Sequence, residues 1–127
     1  MSTDKKKLKD MKKAFIGLLE LVDQAVDKFR FSQGGYDELI TILEKLDYHF
    51  ENLRGIKNNI EDEESPYLVK LIEQTDDTNQ ILSRIMGALE SKDTVLIGDL
   101  LEYELKPRIN DWNDLVGRLL VKENWTN

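Results

Sequence analysis

The sequence predicts an all-α protein, an up-down antiparallel four-helix bundle with a Pro-kinked last helix. Three observations predict it. Apolar residues recur at three-four spacing in four long segments, no segment sustains the alternation of a strand, and short polar stretches with Gly, Ser, Asp or Pro separate the segments. Connections of a few residues between long amphipathic helices make neighbours antiparallel.

The first helix is expected from about Thr3 to Phe31, with apolar residues at 8, 11, 15, 18, 22, 25 and 29. Leu19 and Val26 widen that stripe, so the helix faces more than one neighbour. Ser32-Gln-Gly-Gly35 ends it, because glycine takes the left-handed conformation that stops a helix. The second starts near Tyr36 and repeats at 39, 43, 46, 50 and 53, with Ile56 and Ile60 after a small phase slip. After the acidic run Glu61 to Glu64, Ser65 is a cap and Pro66 a first-turn residue for the third helix.

The apolar set of the third helix is 68, 71, 72, 82, 85, 86 and 89, and Thr75, Thr78 and Asn79 occupy its middle layers. The fourth follows the capping Asp93 and carries Leu96, Ile97, Leu100, Leu101, Leu105, Ile109, Trp112, Val116 and Leu119. Pro107 lies inside it. A proline there removes the donor for the Tyr103 carbonyl and crowds that turn, at a cost of about 3 kcal/mol in a regular helix.

The chain has 127 residues, 40% of them hydrophobic, and reads as one domain over 1–127 with a frayed tail at 123–127 unless Trp125 packs back. It has 18 Lys and Arg against 25 Asp and Glu, a net charge of -7. Six lysines and two aspartates make the tip 1–13 +4, which leaves the rest at -11. An acidic body opposes the phosphate binding on which nucleic-acid affinity rests, so no nucleic-acid partner is expected. The apolar run Ala14 to Leu19 is too short for a signal peptide or a membrane span. With no Cys, disulfides, thiolate nucleophiles and Cys-containing zinc sites are excluded, and a cytoplasmic location is expected.

His49 is the one side chain whose ordinary pKa lies near neutrality. Histidine phosphotransfer bundles place Lys and Gly three and four residues after their exposed His, whereas here those places hold Asn52 and Leu53. The plainer expectation is a half-buried packing residue beside Leu46 and Phe50. A single His also rules out multi-histidine metal centres. The acids Asp99, Glu102 and Glu104, and the run Glu61 to Glu64, read as solvated faces rather than catalytic pairs. Gly34-Gly35 lacks the Gly-Lys-Ser continuation of a phosphate loop, and no Ser or Thr sits in a nucleophile motif. The expectation is therefore no enzyme, no cofactor and no metal.

A protein partner is expected instead. Exposed Tyr and Trp are favoured interface anchors; Trp112 reads as core, and Tyr48 and Tyr103 as the candidate anchors. Thr75, Thr78 and Asn79 have two readings, a buried hydrogen-bonded layer or an exposed stretch lining a groove. Self-association is left open by the broad stripe of the first helix, and membrane-surface binding by the Lys-rich tip is the weaker alternative. An acidic inhibitor or immunity-type protein that covers a basic partner is a variant of the same class.

The stretch from Asp93 to Trp112, with Asp99-Leu-Leu-Glu-Tyr-Glu-Leu105, Pro107 and Trp112, resembles the C-terminal signature of an uncharacterised family of small acidic helical proteins of Gram-positive bacteria. It departs at Arg108-Ile109-Asn110, where that pattern is more apolar or acidic. The resemblance implies a bacterial cytoplasmic helical protein and carries no catalytic residues with it. The functional expectation is a non-enzymatic interaction module, adaptor or chaperone-like.

Overall fold

The computed structural model describes residues 2–31, 33–59 and 66–122. Helix α1 runs Ser2–Arg30, α2 Tyr36–Asn59 and α3 Pro66–Glu90. The last arm is α4, Thr94–Asp99, a π-helical segment, Leu100–Leu105, and α5, Lys106–Lys122. Among the described residues there is no strand, and no helix is long and apolar enough to cross a membrane. The expected stop at Ser32, the cap at Ser65, Ile60, the acidic run 61–64 and the tail 123–127 lie outside the described residues.

The arms surround one core in the order expected of an up-down bundle. α1 packs on α2 and on the α4–α5 arm, α3 packs on that arm from the other side, and α2 and α3 meet least of the neighbouring pairs. All seven stripe residues of α1 are buried, from Leu8 to Phe29. The centre is aromatic: Trp112 packs against Phe50 with ring centroids 4.6 Å apart and against Phe15 at 5.8 Å.

Local chemistry sets the element ends. Gly34 and Gly35 have φ of 95° and 104°, values open to glycine, and a Cβ on Gly35 would lie 2.9 Å from the Phe29 ring. α3 ends with the Asp93 N–H donating to the Ala88 carbonyl at 2.9 Å, which places Lys92 at φ 56°. Asp93 then caps α4 as expected, its Oδ1 accepting from the Leu96 N–H at 3.0 Å.

Pro107 acts by a different route from a simple kink. The Lys106 N–H, just before the proline, donates to the carbonyl of Leu101, five residues back. The spacing of the apolar residues explains this wide turn. Ile97, Leu101, Leu105 and Ile109 are four apart, and at 3.6 residues per turn three such steps drift about 120° around the helix. All four are nevertheless buried, because the wide turn takes up the extra residue.

α2 buries its expected stripe at Leu39, Leu46, Phe50, Leu53 and Ile56 with one exchange, whereas α3 sits rotated from its expected stripe. Ile42 is buried in α2 where Leu43 was expected, and Leu43 is only partly covered. In α3 the inward line is Leu68, Leu71, Thr75, Thr78, Ile81, Ile85 and Ala88. Ile72, Leu82 and Leu89 are half-buried, and Met86 is exposed.

Candidate interaction surface

Thr75 and Thr78 lie inside the bundle, the buried one of the two readings left open for them, which takes them out of the candidate binding residues. Each hydroxyl donates to a carbonyl of its own helix, Thr75 to Leu71 at 3.0 Å and Thr78 to Gln74 at 2.7 Å. A threonine bonded back in this way needs no polar partner on another helix. The two therefore fill the middle of the core line of α3 between Leu71 and Ile81, while Ile72, Leu82, Met86 and Leu89 stand beside it. Asn79, one position on, is exposed.

Tyr48 and Tyr103 are both 65% exposed, and they stand on different sides of the molecule. Tyr48 borders a groove between α1 and α2 lined by Asp10, Ala14, Thr41, Lys45 and His49. Tyr103 projects from the π segment under the Arg30 guanidinium, 5.5 Å from its ring centroid. Arg30 is also paired with Glu102 and, at 3.1 Å, with Asp99. These contacts join the end of α1 to the last arm and account for much of what holds Tyr103 in place.

His49 is 5% exposed, more deeply buried than the sequence suggested. Its ring packs edge-on to Phe15 at 5.4 Å and to Tyr48 at 5.3 Å, and its Nδ1 has no hydrogen-bond partner. Burial, reinforced by the charge of Lys45, pushes its pKa down, so the imidazole is held neutral. Phosphotransfer needs an exposed imidazole, and this geometry does not present one.

A surface that the sequence reading missed lies on the α2–α3 side. Thr41, Lys45 and Tyr48 face α1 across the groove just described, so at 3.6 residues per turn Ile40, Leu43 and Asp47 lie on the other flank of α2. On α3, Gln74 bonds Arg108 at 3.1 Å and Arg84 pairs with Glu104, which turns Ile72, Asn79, Leu82 and Met86 toward α2. Near the connection of the two helices, Phe50, Leu53, Ile56, Leu68 and Leu71 are buried. Toward the other end Leu39, Ile42, Ile81, Ile85 and Ala88 stay buried, but beside them Leu43, Leu82 and Leu89 are only partly covered, and Ile40 is 56% and Met86 47% exposed. Counted back from the connection, Ile40 lies about level with Met86 and Leu43 with Leu82.

The result is an apolar strip along the α2–α3 side, termed the cleft, with Leu43, Leu82 and Leu89 partly covered and Ile40 and Met86 standing out at its edge. Of the five expected surface residues only Asn79 borders it. The signal was present in the sequence: in the third segment 72, 82, 86 and 89 stand to one side of the line through 75 and 78. Among the described residues no group of three or more His, Asp or Glu is placed to hold a metal ion.

Neither the curated proteins nor the solved structures contain a match to this chain. A sequence family does match, described as Domain of unknown function (DUF8042), over residues 6–115. The chain belongs to that family, whose match leaves out only its first five and last twelve residues.

Proposed function

We propose that the protein is a non-enzymatic, cytoplasmic interaction module, adaptor or chaperone-like, that holds a helical segment of a partner in the cleft between α2 and α3. The carrying observation is the exposed and half-buried apolar set on the α2–α3 side. Ile40, Leu43, Leu82, Met86 and Leu89 stand beside the buried lines of the two helices, and clustered apolar surface of this kind marks binding sites. Amphipathic helices lie in grooves of this kind through residues spaced three and four apart. The buried, neutral His49 and the scattered carboxylates support no competing chemistry.

Affinity capture from the native host tests the reading. The doubly substituted Ile40→Ser, Met86→Ser protein should lose a partner that the wild type retains at stoichiometric yield. A Tyr48→Ser, Tyr103→Ser protein should keep it. Loss with the tyrosine pair and retention with the cleft pair would move the function to another face.

A further inference from the structure

The charges around the cleft say what kind of segment fits it. By helical spacing Asp47 on α2 and Asp76 and Glu90 on α3 stand beside the residues of the apolar strip. All three are exposed, and none takes part in an ion pair among the described residues. The one described cation on these two flanks is Arg54, already tied to Glu51. Elsewhere several surface acids are paired across elements, Glu38 with Lys28, Asp23 with Lys106, Asp99 and Glu102 with Arg30, Glu104 with Arg84, while Asp10, Glu20, Asp27, Glu44, Asp77 and Asp111 are, like those of the strip, in no ion pair among the described residues. An apolar strip between unpaired carboxylates favours a ligand with an aliphatic stripe and flanking cations, because desolvated apolar contact and complementary charge then act together.

We infer that the occupant of the α2–α3 cleft is a cationic amphipathic helix of another protein, its aliphatic stripe on Leu43, Leu82 and Met86 and its Lys or Arg residues against Asp47, Asp76 and Glu90. This rests on the interaction reading above and adds the chemistry of the partner. A second copy of the chain is the poorer fit. Its basic helix, α1, keeps Lys6, Lys9 and Lys13 at the surface, but the stripe of the same turns, Leu8, Met11 and Phe15, is fully buried in its own bundle. A second copy thus offers the cations without the stripe.

The test uses a fluorescently labelled synthetic peptide of about 14 residues, four helical turns, with Leu at three-four spacing and Lys elsewhere. Its counterpart has Glu at every Lys position. Binding is titrated by anisotropy at about 50 mM and about 300 mM salt, on either side of the point where surface charges become strongly screened. The Lys peptide should bind, more weakly at high salt. The Ile40→Ser, Met86→Ser protein should lose about tenfold or more in affinity, and so should Asp47→Lys, Asp76→Lys, Glu90→Lys. Tyr48→Ser should bind as the wild type does. Every substituted side chain is exposed, and circular dichroism confirms that each variant folds.

Binding of the Lys peptide that ignores the Ile40→Ser, Met86→Ser change is charge attraction alone and overturns the inference. Equal binding of the Glu peptide, still lost with that pair, overturns the cationic partner and leaves the interaction reading standing. If neither peptide binds and the chain sediments as a dimer that the same pair dissolves, the occupant is a second copy, and the inference fails. If neither peptide binds and the chain stays monomeric, the inference fails, and the capture experiment above decides the broader reading separately.

Discussion

At the scale of single residues, His49 ties packing to pH. Its neutral form is what fits between Phe15 and Tyr48, and burial holds its folded pKa below the ordinary value. The unfolded chain takes up a proton on this ring as the pH falls through about 6.5, while the folded chain resists it. The unfolded state therefore binds more protons, and stability falls with acidity below that pH. Urea midpoints at pH 7.5 and pH 5.5 should drop for the wild type by more than for His49→Phe, whose ring cannot titrate; parallel drops would remove the imidazole from the explanation. Lys92 gives a prediction of opposite sign. It stands at φ 56° past the end of α3, where a residue with a Cβ loses about 1 kcal/mol against glycine. Lys92→Gly should raise the thermal midpoint by about 4 °C. A lower midpoint would show that the Lys92 side chain contributes more than its backbone strain costs.

At the scale of elements, the helix boundaries and the faces of α1 and of the last arm from Ile97 onward were legible from their apolar stripes; Leu96, expected in the last stripe, is 39% exposed. The third helix was not legible in the same way. Hydrophobicity alone cannot tell which of two adjacent lines faces inward when one carries Thr75 and Thr78, whose hydroxyls are satisfied by Leu71 and Gln74. The sequence left those hydroxyls either in a buried layer or lining a groove, and neither reading marked the exposed line beside them. The π segment was half legible: Pro107 marked the place, and the three steps of four from Ile97 to Ile109 carried the cause. Deleting Tyr103, an exposed residue of that segment, would convert the steps to alternating fours and threes and remove the need for the wide turn. Pro107 would then stand inside a regular helix. The deletion should lower stability by about 3 kcal/mol in chemical denaturation, and adding Pro107→Ala should recover most of the loss. Failure of the second change to help would mean that the wide turn does not relieve the proline.

At the scale of the whole molecule, unequal attachment of the four arms connects the fold to the proposed function. α1 is held from two sides, by α2 and by the last arm, and Trp112 fixes that arm against Phe15 and Phe50. α2 packs chiefly on α1; its contact with α3 is the least of the neighbouring pairs, and its ring contact with the last arm is at Phe50, in its second half. The free energy needed to open part of a structure follows the apolar contact that opening breaks, so the first half of α2 is the cheapest helical segment to release. Hydrogen exchange followed by mass spectrometry should show amides of residues 39–47 exchanging well before those of 97–119. A helix seated in the cleft would add the contact that α2 lacks, touching Leu43 on one side and Leu82 and Met86 on the other. Binding and local stability are then one equilibrium, and ligand in excess raises the cost of opening by its mass-action term. Exchange at 39–47 should slow when the Lys-Leu peptide is present at many times its dissociation constant, with little change at 97–119, where opening already requires dismantling the core. Slowing spread evenly over the chain would place the peptide elsewhere, and early exchange at 97–119 in the free protein would show that the Trp112 cluster is not the anchor of the bundle.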